Sequence, residues 1–133
     1  MNRRTTIEQL WGTWHGVPNT DWLRSVRGED RAMLITARST LAFERPNGEI
    51  IAPAAGLIFD GQSIPMLFWF VLAMSPFTGK SRESAMVHDH LCKVQDRPCK
   101  DAHRVMYEGM RSRGMWFRGR LMYWGLLIAG SKW

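Results

Sequence analysis

The periodicity of the side chains changes once along this chain, and the change decides its fold class. From Leu34 to Glu44, Ile35, Ala37, Ser39, Leu41 and Phe43 point one way and Thr36, Arg38, Thr40, Ala42 and Glu44 the other. That period of two belongs to a strand with one buried face. Further on, Ala102, Val105, Met106, Gly109 and Met110 recur at i, i+3, i+4, i+7 and i+8, which is the stripe of a helix lying on a core. Strands first and helices second predict an α+β fold: a small antiparallel hairpin or three-stranded sheet followed by three to four packed helices.

Local signals place the other elements. Thr5 and Glu8 fit a capping box, and Ile7, Leu10, Trp11 and Trp14 follow at helical spacing, so a short helix begins the chain. The mixture of Gly, Pro, Asn and Asp from Gly16 to Arg31 predicts irregular structure. Asn47-Gly48 supplies a tight hairpin, with Glu49 to Pro53 as the returning strand. Leu57 to Phe59 leads into Asp60-Gly61-Gln62-Ser63-Ile64-Pro65, where Ser63 caps a helix reaching Met74. Helices are expected from Arg82 to Gln95, from Lys100 to Arg113 and from Phe117 to Ala129. The last is apolar nearly all round and needs cover from the fold or from a partner. Seven Trp, six Phe and nine Met in 133 residues exclude a disordered chain and suit a single domain, 1–133, with the N-terminal helix and hairpin in 1–59 and the helical part in 60–133.

Charge is unevenly placed. Residues 1–96 carry ten Lys or Arg against ten Asp or Glu, and residues 97–133 carry eight against two, so the whole net charge of +6 (8 − 2) lies in the C-terminal quarter. Arg111, Arg113, Arg118 and Arg120, interleaved with Trp116 and Phe117, form a candidate anion-binding segment for nucleic acid, lipid head groups or an acidic protein. Its structural alternative is a solvated helix junction. No apolar run approaches the roughly 20 residues of a membrane-spanning helix, and the N-terminus lacks the apolar stretch of a signal peptide. Two cysteines, Cys92 and Cys99, give no disulfide framework. His90, Cys92, Cys99 and His103 have spacings that fit a zinc site poorly.

The segment Met86-Val87-His88-Asp89-His90 carries the chemistry. At 100° per residue Val87, Leu91 and Val94 share a core face, while Ala85, His88, Asp89 and Cys92 share another, so an imidazole and a carboxylate project together between small side chains. Asp101 lies at the edge of the next helix's apolar stripe and can look toward them. Each residue also has a structural use: His88 and Asp89 as a satisfied pair, Asp101 as a first-turn acid favouring the helix dipole, and Asp60 as turn chemistry.

Asp60-Gly61-Gln62-Ser63-Ile64-Pro65, then Phe68-Trp69, His88-Asp89, Asp101 ahead of a helix with Met110, and Met122-Tyr123 together resemble DUF1353, an uncharacterised family found widely in tailed bacteriophages and prophages. The resemblance spans about Ile51 to Gly130 and departs at Gln62 and Cys92. It implies a phage origin, in the host cytoplasm or the virion. The His-Asp layout is also remotely similar to bacterial phospholipases A2. That likeness implies His88 as general base, Asp101 orienting it, and Asp60 and Asp89 as metal ligands for calcium, with zinc fitting less well. Three functions are therefore expected in order: a phage protein with a metal-assisted hydrolase site acting on a lipid or cell-envelope ester; a non-catalytic virion or host-takeover component; and a nucleic-acid-binding module.

Overall fold

A computed structural model describes residues 9–24, 31–59, 81–130 and 132–133. They fold as α+β. Six short strands, β1 (Thr13–His15), β2 (Thr20–Arg24), β3 (Arg31–Ile35), β4 (Ala42–Glu44), β5 (Ile50–Ile51) and β6 (Ile58–Phe59), precede three helices, α1 (Arg82–Val94), α2 (Cys99–Ser112) and α3 (Trp116–Ala129). The expected helices around Thr5–Glu8 and Ser63–Met74 fall outside the described residues.

Among the described residues there are two sheets, each antiparallel and three-stranded, in the orders β1-β4-β5 and β2-β3-β6. The expected continuous strand from Leu34 to Glu44 is divided between them. Its interruption is local chemistry: the Thr36 hydroxyl donates to Asn19 Oδ1 at 2.6 Å and accepts from the Arg38 amide at 3.2 Å, and the Ser39 amide returns to the Thr36 carbonyl at 3.1 Å. Hydroxyl side chains that bond nearby backbone compete with a ladder, so the chain turns and changes sheet. Ile35, Leu41 and Phe43 are nevertheless buried as the alternation predicts, while Ala37 is exposed.

Two further expectations are corrected. The segment from Gly16 to Arg31 contains β2, whose five residues pair with β3 from Thr20↔Ile35 to Arg24↔Arg31; its order comes from the partner strand and not from local propensity. Trp14 is in β1, not in a helix, because Gly12 at φ 101° ends the helical turn seen at residues 9–11. The Asn47-Gly48 hairpin forms as expected, with Phe43↔Ile51 and Glu44↔Ile50 in register and Gly48 at φ 92°.

One cluster of buried side chains joins Ile35 and Leu41 to Ala85, Met86, Met106, Met110, Met122 and Leu126; a second joins Phe43 and Ile51 to Val87, Leu91, Ala102 and Val105. Trp14 packs against both, and its indole N–H donates to the Gly109 carbonyl at 3.1 Å. Gly109 permits this approach, since a Cβ there would stand 2.8 Å from both Ser84 Oγ and Trp14 Cζ2. Helix α1 ends at Gln95 in the left-handed region, φ 54°. Its last turn projects into solvent, so Val94, expected on the core face, is 51% exposed.

Candidate functional site

The packed seam between α1 and α2 gathers His88, Asp89, Cys92 and His103. His88 and His103 are buried, and His88 Nε2 lies 2.8 Å from His103 Nδ1. A single proton occupies that contact, so one ring donates and the other accepts. Cys92, one turn along α1, brings Sγ to 3.8 Å from His88 Nδ1 and 3.7 Å from Nε2. Trp133 sets its ring edge toward His103, with centroids 6.3 Å apart. Burial, and then the neighbouring His103, push the His88 pKa down to about 3, so its imidazole is neutral at neutral pH.

Asp89 is buried beside His88, and its carboxylate meets the Lys93 ammonium at 3.2 Å. That ammonium also donates to the Ile58 carbonyl, which ties α1 to β6. His90 looks elsewhere. Its Nδ1 accepts the Ala54 amide at 3.3 Å, and burial lowers its pKa. Cys92 and Cys99 are not joined in a disulfide.

Asp101 is placed away from the imidazole pair and inside an ion-pair clasp. Arg45, from the β4–β5 turn, donates to Asp101 at 3.0 and 3.2 Å, to Glu108 at 2.6, 3.1 and 3.2 Å, and to Glu49 at 3.3 Å. Arg97, in the α1–α2 loop, donates to Glu49, Asp96 and Asp101. Arg45, Glu49, Asp96, Arg97 and Asp101, with Asn47, line an open depression of about 640 Å³. The position on α2 that faces His88 is 103, two residues beyond the expected Asp101. The signal for it was present: His103 precedes Met106 and Met110 by three and seven positions, on the stripe that builds the core. Arg45 had no comparable signal, because its partners lie 56 and 63 residues away.

A calcium ion takes six to eight oxygen ligands. The Asp89 carboxylate faces an ammonium and that of Asp101 faces two guanidiniums. Among the described residues no three His, Cys, Asp or Glu side chains converge as a metal site, and Asp60 falls outside those residues. The described residues therefore do not by themselves fit a calcium centre.

The four expected anion-binding arginines separate into two pairs. Arg111 lies over the Trp11 ring, 4.3 Å from its centroid, and donates to the Tyr107 hydroxyl; Arg113 lies 5.4 Å from the Trp14 centroid. Arg118 and Arg120 are exposed on α3. Among the described residues no helix is long and apolar enough to cross a membrane.

Two uncharacterized proteins of Sinorhizobium fredii (strain NBRC 101917 / NGR234) are similar to this chain. Protein y4jT is 30% identical over 126 residues, covering 94% of this chain and 36% of its own length. Protein y4iH is 31% identical over 80 residues, covering 56% and 31% respectively. The chain thus spans about a third of the length of these relatives. No solved structure matches. The family model described as "Protein of unknown function (DUF1353)" matches residues 35–126, a stretch that holds β4, β5, the clasp and the His88–His103 pair, and on that match the chain belongs to the DUF1353 family.

Proposed function

We propose that this chain is a non-catalytic interaction component, of the virion or host-takeover kind carried by phages and prophages, in which the His-Asp segment is a structural cluster and α3 is the working surface. The observation that carries this reading is the wholly buried His88 ring, held at 2.8 Å by a second imidazole and lowered in pKa to about 3. A general base works best with a pKa near the operating pH and within reach of substrate. An orienting carboxylate would raise the imidazole's basicity, but the expected one, Asp101, is bound by Arg45 and Arg97.

His88→Ala tests it. The expected result is a loss of roughly 1–3 kcal/mol, as the buried 2.8 Å bond between the two imidazoles is broken. Ester and phospholipid turnover by wild type should stay at the level of buffer, with or without calcium, and millimolar calcium should leave the melting temperature unmoved. A stable His88→Ala protein that loses a calcium-dependent activity would sink the proposal. It would instead support metal-assisted hydrolysis, with His88 as base and Asp60 and Asp89 as ligands, a reading favoured by one observation: His88 and Asp89 are both buried side by side on α1.

A further inference from the structure

Helix α3 uses only one of its two apolar sides on the core. Gly119, Met122, Gly125 and Leu126 face inward. On the other side Phe117 is 57% exposed, Leu121 37%, Trp124 63% and Ile128 55%, with Trp116 60% exposed at the helix start. At 100° per residue, Phe117, Leu121, Trp124 and Ile128 lie within about 60° of one another, with Arg120 about 70° to one side of the stripe's centre and Arg118 about 90° to the other. The result is an apolar ridge along most of this fourteen-residue helix with a guanidinium on each flank.

Charge selects the occupant. Helix α3 contains no Asp or Glu. The only acids in residues 97–133 are Asp101 and Glu108, and both are bound by Arg45 on another part of the surface. A second copy of the chain would bring the same arginines against each other. A nucleic acid would meet two arginines but would leave the apolar ridge facing phosphates. A bilayer surface with anionic lipid satisfies both parts: Trp, Phe, Leu and Ile enter the boundary between head groups and acyl chains, and arginines on either flank reach the phosphates. Indole rings favour that boundary. At 1.5 Å per residue α3 is about 21 Å long, too short to cross the roughly 30 Å hydrocarbon layer, so it would lie in the interface plane.

We propose that the outer face of α3 docks on anionic lipid bilayers, an inference that rests on the non-catalytic reading above and names its partner. The full chain is to be floated with phosphatidylcholine vesicles containing zero to 40% phosphatidylglycerol, about the range that sets a strongly negative surface, at low and high salt, with fatty-acid release measured in the same samples. Binding should rise with the anionic fraction and fall with salt, and the Trp emission should shift to the blue. Phe117→Ser with Trp124→Ser, both at exposed positions, should weaken binding about tenfold or more with an unchanged melt. Arg118→Ala with Arg120→Ala should remove most of the salt dependence while leaving residual binding. Absence of vesicle binding, or binding that Phe117→Ser with Trp124→Ser does not weaken, overturns the lipid inference. If Phe117→Ser with Trp124→Ser instead abolishes self-association or capture of an acidic protein, the surface keeps its docking role and only the partner is wrong. Fatty-acid release that His88→Ala abolishes overturns the non-catalytic reading itself.

Discussion

Arg45→Met is the most informative single change in the clasp. The Arg45 side chain is 10% exposed and the Glu108 side chain 5%, with 2.6 Å between Nη2 and Oε1. Removing the guanidinium leaves a buried carboxylate whose other cation, Arg104, stands 3.9 Å away on a half-exposed side chain. Breaking a buried pair from one side costs about 3–5 kcal/mol. Asp101 and Glu49, 37% and 40% exposed, rehydrate on losing Arg45 and add less than about 1 kcal/mol each. Urea denaturation at pH 7 should therefore show a loss of about 3–5 kcal/mol. Arg45→Met combined with Glu108→Leu should recover most of it, because an apolar pair in the same space carries no desolvation penalty. The two single variants and the double variant close a cycle whose coupling term isolates the pair. A single variant within about 1 kcal/mol of wild type, or a double variant less stable than Arg45→Met alone, would refute the reasoning.

Three other outcomes follow from the same geometry. The folded His88 value of about 3 lies below the ordinary 6.5, so between those pH values the unfolded chain binds the extra proton. Stability should fall by about 1.4 kcal/mol per pH unit on acidification from this group, and ring-nitrogen NMR showing His88 titrating near 6.5 would contradict the burial argument. Glu49 and Asp96 titrate below their ordinary 4.5 and 3.8, with Arg97 as the first cause for each. Their stabilisation is complete above about pH 4.5 and is lost as pH falls through their folded values, and Arg97→Gln should flatten that part of the pH–stability curve; an unchanged slope would remove Arg97 as the cause. Gly109→Ala should destabilise by roughly 1–3 kcal/mol in a thermal melt through overpacking against Trp14 and Ser84, despite alanine's better helix propensity; a raised melting temperature would show that the seam yields.

The helical half was legible because its information is local. Periodicity placed α2 and α3 to within a residue or so of Cys99–Ser112 and Trp116–Ala129. The strand half was harder. Ile35, Leu41 and Phe43 alternate as one strand would, yet the bonds of Thr36 to Asn19 and Arg38 break the strand and leave Ile35 and Phe43 in different sheets, and β2 owes its order to β3. At the candidate site the sequence identified His88 and Asp89 as a pair on one helix. It named Asp101 as the neighbour of His88, whereas His103, two residues on and on the core stripe of α2, is the one that the packing of α1 on α2 turns inward. The clasp was invisible for another reason: Arg45 has nothing distinctive around it, and its meaning comes from acids brought near by the hairpin and the helix.

The bond from Trp14 to the Gly109 carbonyl spans 95 residues, and this bears on how the chain assembles during synthesis. The β1–β4–β5 sheet is complete once residue 51 has emerged, but the helix that covers Trp14 emerges later. At about 5–20 residues per second, Trp14 waits roughly 5–19 seconds for its acceptor. Until α1 and α2 emerge, the face bearing Phe43 and Ile51 lacks Val87, Leu91, Ala102 and Val105 to cover it, so the nascent chain passes through a sticky, half-built stage. Nascent chains stalled between residues 60 and 100 should therefore engage chaperones strongly, and chains stalled with α2 fully outside the ribosome should release them.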